Sequence, residues 1–134
     1  GMLPPEVVNN LFDRTGFGVY EKPILDLALN YRKAAIIENA NLTKALKEVL
    51  SGNPVIVWGL LSRKKLISWK TIEGKTVEVQ PGEHARVLIG FVGKPDNPKK
   101  VILIDPIYGL INMNTKEFNS DWELMNNRAV VVYK

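Results

Sequence analysis

At 134 residues, with 46% hydrophobic and 24% charged side chains, the chain has the composition of one ordinary globular domain. That length buries roughly two-thirds of the unfolded surface without covalent staples. The absence of cysteine excludes disulfides, thiolate metal sites and a cysteine nucleophile within the chain, and a net charge of +4, scattered apart from Arg63-Lys64-Lys65 and Lys99-Lys100 and free of interleaved aromatics, argues against a nucleic-acid partner.

A single histidine leaves a zinc site dependent on several carboxylates, and no such cluster is visible, so neither metal nor cofactor is expected. No apolar run reaches the ~18 residues of a membrane span, and no signal peptide opens the chain. The compartment is therefore left open. Gly1 ahead of Met2 has the look of a tag-cleavage scar, which leaves residues 2–134 as one expected domain.

In chain order, Pro4-Pro5-Glu6 predicts a helix start, with Val7, Val8, Leu11 and Phe12 on one face and Gly16 ending it. Pro23 predicts the opening of a second helix carrying Ile24, Leu25, Ala28, Leu29 and Arg32 in register, against which Phe17 and Tyr20 pack. Ala34 to Glu38 reads as a short strand. The third helix, NLTKALKEVLSG, has a buried stripe of Leu42, Ala45, Leu46, Val49 and Leu50, a cap at Asn41 or Thr43, and Gly52 just past its end.

From Pro54 the period changes. Val55 to Trp58 reads as a strand buried on both faces, and Leu66 to Trp69 and Thr76 to Val79 flank a Glu73-Gly74 turn. Trp58 and Trp69 are read as sheet packing, with walls of a binding groove as the sharper alternative. Tyr108 to Met113 continues as a strand or a bend. Asn114-Thr115 caps a fourth helix, TKEFNSDWELM, with Phe118, Trp122 and Met125 inward, and Arg128 to Tyr133 is a closing strand. Helices first, then an antiparallel sheet of about six strands with one helix before the last, is an α+β pattern.

The stretch GEHARVLIGFVGKPDNPKKVILIDPIYG organises the rest. Two β-rich runs flank Pro-Asp-Asn-Pro turn chemistry, which makes an antiparallel hairpin. Folding it about Asp96-Asn97 returns His84 to the end of the sheet where Asp105 lies. One parity of register places both on one face, and a one-residue slip separates them. An imidazole beside a carboxylate is the base-and-orienter half of a nucleophilic triad. A surface or satisfied core histidine, and an Asp-Pro that merely opens a turn, are the plainer readings.

The succession GNPVIVW, GEHARVLIGF, VILIDPIYGLINMNTKEFNSDWELM and a closing apolar strand resembles the papain-like cysteine peptidases of family thirty-nine, which include the domains that cut bacteriocin leaders, and more closely their stand-alone bacterial relatives. The likeness runs from Asn41 to Tyr133 and more weakly back to Pro5. It implies a papain-like α+β fold, His84 as general base and later general acid, and Asp105 holding the ring's tautomer. Members of that family carry a nucleophilic cysteine at the start of an N-terminal helix, with an oxyanion-hole glutamine just upstream. Here Leu3 to Val8 resembles the second helix of such a domain, so the nucleophile helix is expected to be missing, and no serine or threonine precedes Thr15 as a substitute.

Three readings remain open. One is a peptidase-like domain that is inactive as this chain, its cysteine supplied elsewhere if at all. Another is a non-catalytic module binding a peptide or protein segment, with His84, Asp105 and Trp58 or Trp69 as lining. The last is a structural or assembly domain in which the pair only stabilises the fold. The missing helix further implies an apolar trough beside His84, to be filled by a second copy, making a homodimer, or by a peptide.

Overall fold

The computed structural model describes residues 21–61, 65–79 and 81–134. The expected first helix, Phe17, Tyr20 and most of the Arg63-Lys64-Lys65 turn lie outside them.

Helix α1, Glu21–Ala28, starts two residues earlier than Pro23 suggests, with Glu21 in its first turn. It ends at Ala28, so Arg32 belongs to a following turn and Leu29 is 53% exposed. Strand β1 covers Ala34–Ile36. Helix α2, Leu42–Leu50, is capped by Asn41, whose side-chain oxygen accepts the Lys44 amide at 2.9 Å. Gly52, at φ +85, occupies the left-handed position just beyond its end. Its buried face is Ala45 and Leu46, with Leu42 and Val49 beside them, whereas Leu50 is 62% exposed. The expected stripe overran by that one residue.

Strands β2 (Val55–Leu60), β5 (Glu83–Lys94), β6 (Asn97–Asp105), β7 (Gly109–Asn114) and β8 (Ala129–Val132) join β1 in a six-stranded sheet of order β1-β8-β2-β5-β6-β7, antiparallel at every pairing. The strands β3 (Ile67–Lys70) and β4 (Thr76–Val79) form a separate two-stranded ribbon. Helix α3, Thr115–Leu124, leaves the end of β7 through its cap Asn114 and turns Phe118 and Trp122 inward, with Met125 just after it. The architecture is α+β, with a mostly antiparallel sheet.

Alternation sorts the sheet into two apolar faces. Val55, Val57, Leu88, Val101, Leu103, Ala129 and Val131 share one face and pack with Ala45 and Leu46 of α2 and Phe118 and Trp122 of α3. Trp58, Leu60 and Val130 lie on the other, with Met125 and with Ile24 and Leu25 of α1. This division decides which residues can reach the site.

The hairpin of β5 and β6 turns at Pro95-Asp96, between the paired Lys94 and Asn97, one residue before the expected centre. Two bulges interrupt it. Ile89 is extra on β5 between Leu88 and Gly90, and Lys99 is extra on β6 between Pro98 and Lys100. Being on opposite strands, the two cancel in register. Between them they place Phe91, rather than Gly90, opposite Val101. Phe91 thereby joins Leu88 on the core face despite their odd spacing, and the register beyond Leu88 stays as a bulge-free hairpin would leave it.

Candidate active site

Strand β5 enters the sheet at Glu83, and its first inward residues are His84, Arg86 and Leu88. The pairing of Val87 with Ile104 sets Arg86 against Asp105, the last residue of β6. His84, two residues before Arg86, shares its face. On the other side His84 lies opposite Gly59 of β2. The even register thus gathers three polar side chains at one end of an otherwise apolar face.

His84 Nε2 lies 3.0 Å from Asp105 Oδ2. Arg86 donates from Nε to the same oxygen at 2.7 Å and from Nη2 to the Leu60 carbonyl at 3.3 Å. The other carboxylate oxygen, Oδ1, accepts the amides of Ile107 at 2.7 Å and Tyr108 at 3.0 Å. Asp-Pro therefore does open a turn, through one oxygen, while the second oxygen faces the imidazole. The dipeptide both opens a turn and meets the imidazole.

The Asp105 side chain is 0% exposed and that of His84 only 12%. Burial pushes the Asp105 carboxyl toward the neutral acid. The Arg86 hydrogen bond, the two backbone amides and His84 together outweigh it and hold the group well below the usual carboxylate range. A carboxylate only accepts, so a neutral ring in this contact would carry its proton on Nε2 and its lone pair on Nδ1. Beside the site, Glu83 is pushed upward by burial, which the nearby Arg128 opposes and Glu21 reinforces. Arg128 bridges those two carboxylates, with Nη1 3.5 Å from Glu83 and Nε 3.5 Å from Glu21.

Of the sequence-derived candidates, His84 and Asp105 meet. Trp58 does not join them. It pairs with Ala85, so alternation turns it to the opposite face, where it is 2% exposed among Leu60, Met125 and Val130. It is packed on the face turned away from His84. Trp69 is partly buried on the separate ribbon, paired with Val77. That ribbon leaves and re-enters the sheet beyond the Gly59–His84 pair, closed by the Leu61 amide donating to Gly82 at 2.7 Å. Sequence reasoning missed Arg86 altogether. Its signal was available in its two-residue spacing from His84 and in its place facing Asp105 across the turn. Two cavities lie elsewhere, one at Val49, Asn53 and Ile89 and one at Glu38, Asn127 and Arg128, and neither is lined by His84 or Asp105. Among the described residues no group of three or more histidine and acidic side chains could hold a metal ion, and no helix is long and apolar enough to cross a membrane.

The sequence model of the Peptidase_C39 like family matches residues 5–130. The uncharacterized protein YvpB of Bacillus subtilis strain 168 is 30% identical over 136 residues, covering 95% of this chain and 51% of that protein. A crystal structure of a protein described as a C39-like peptidase, from Bacillus anthracis, aligns with a TM-score of 0.72 at 26% identity, covering 92% of this chain and 63% of the other. The chain therefore spans about half the length of the curated relative it matches.

Proposed function

The chain belongs to the Peptidase_C39 like family, and on that footing we propose that it carries the proton-transfer half of a thiol-peptidase site and, as this polypeptide, cleaves no peptide. His84 is the base, working through Nδ1, and Asp105 holds the ring by Nε2. The observation that carries this reading is the 3.0 Å contact between Nε2 and a fully buried carboxylate, in a chain whose cysteine count is zero. A thiol brought to Nδ1 by another segment would lose its proton to that nitrogen, become the attacking thiolate, and recover the proton for the leaving amine through the same ring. Without a nucleophile the pair can polarise only water, and loss of a covalent route and its oxyanion donors removes several powers of ten in rate.

The test is a panel of fluorogenic peptides offered to the purified chain, beside His84→Ala. No turnover by either protein is expected. Hydrolysis by the parent chain that disappears in His84→Ala would overturn the proposed inactivity.

A second reading, a module that holds a peptide or protein segment, is supported by the β3–β4 ribbon. Trp69 and Ile67 share one side of it, Ile67 is 54% exposed, Leu66 is 61% exposed, and Ile72 at the turn is fully exposed. Its root lies next to His84 along β2 and β5. Lys65, Lys70 and Lys75 outnumber Glu73 and Glu78 there, which suits an acidic segment with apolar residues.

A further inference from the structure

Arg86 is the one fixed positive charge in direct contact with the Asp105 carboxylate among the described residues, and everything around it keeps it there. It is 8% exposed. Its Nε bonds Oδ2 at 2.7 Å, shorter than the 3.0 Å contact from His84 to the same oxygen, and its Nη2 is tied to the Leu60 carbonyl at 3.3 Å. Gly59 makes the space: a β-carbon there would stand 3.2 Å from Arg86 Nη1, tighter than such contacts normally run. The guanidinium is therefore tied to both neighbouring strands, in space that Gly59 leaves for it.

The chemistry of a buried carboxylate gives this a consequence for the ring. An unpaired charge is not stable in such a place and the group takes up a proton instead. Were Asp105 to do so, its Oδ2 hydroxyl could donate to Nε2. The ring would then carry its own proton on Nδ1, and the nitrogen needed as base would be blocked. The two backbone amides and a neutral imidazole favour the carboxylate as hydrogen-bond donors but bring no charge. Arg86 brings one. We infer that Arg86 is the positioning residue of the site: by neutralising Asp105 through the oxygen that faces His84, it keeps the carboxylate an acceptor and fixes the imidazole with its proton on Nε2 and its lone pair on Nδ1.

This rests on the reading of His84 and Asp105 as base and orienter, and the test separates the two. His84 is the one histidine of the chain, so the ring nitrogens of ¹⁵N-labelled protein report on it without assignment. At a pH where the ring is neutral, the parent chain should show the Nε2–H tautomer alone. Arg86→Met should lose that single form and populate the Nδ1–H tautomer, and Arg86→Lys, which restores the charge without the planar fork, should recover the Nε2–H form in part. If Arg86→Met does not fold, Gly59→Ala crowds the same guanidinium and should give a weaker mixing of the two forms. A parent ring not in the Nε2–H form sinks the reading of the pair itself. A parent ring in that form, left unchanged by folded Arg86→Met or, where that variant does not fold, by Gly59→Ala, overturns the role of Arg86 alone.

Discussion

At Asp105, four donors converge on two oxygens inside the protein: a guanidinium, an imidazole and two backbone amides. Removing the carboxylate strands a buried cation, so Asp105→Ala should cost about 3–5 kcal/mol in urea unfolding at neutral pH. The sign of its pH dependence follows from a folded carboxyl held below its unfolded value of about 3.9. Its contribution is complete above about pH 4 and drains away as the pH falls toward the folded value. The gap in urea midpoint between the parent chain and Asp105→Asn should therefore be level near neutrality and narrow in acid. A gap unchanged down to pH 2 would mean that Asp105 is not held ionised. Glu83 runs the other way. Its carboxyl is raised, chiefly by burial, so the stability attached to its neutral form is present in acid and lost as the pH rises through that raised value. Glu83→Gln should accordingly be tolerated at neutral pH.

Among the elements, α2 was legible in full apart from its last residue, because an asparagine cap, a stripe at helical spacing and a closing glycine agree with one another. Asn41→Ala should cost about 1 kcal/mol in thermal or urea unfolding. The long hairpin was legible as a pair of strands, whereas the parity that brings His84 to Asp105 is given by the observed register. Its bulges were not legible, since the sequence at Ile89 and Lys99 carries no marker of the shift that sets Phe91 opposite Val101 and against the core. Deleting Ile89 should regularise the ladder at modest cost, leaving Leu88 on Leu103 and His84 on Asp105, which the His84 ring spectrum would verify. Sequence alone leaves Trp58 between packing and lining for a related reason. A strand buried on both faces hides its alternation, and only the partner Ala85 shows which side the indole takes. Arg86 went unseen because its signal, a basic residue two positions from His84 on the same strand face, gains meaning only once the hairpin register sets it against Asp105.

For the molecule as a whole, the six-stranded sheet and the β3–β4 ribbon are separable, since the chain leaves and returns where the Leu61 amide meets the Gly82 carbonyl at 2.7 Å. Replacing residues 66–79 by a short glycine-rich turn should preserve the sheet and the His84–Asp105 contact. If the ribbon holds a peptide segment, the same variant should lose binding of an acidic, apolar peptide measured by calorimetry. Family membership fixes the scaffold, and the activity of any longer relative does not transfer with it, because this chain spans about half of YvpB and holds no thiol. What the account needs above all is an imidazole whose working nitrogen is Nδ1. The ¹⁵N spectrum of the unaltered chain, with its lone histidine, reads this directly. A neutral ring protonated on Nε2 alone is the predicted result; a ring protonated on Nδ1, or divided evenly between the two forms, would contradict it.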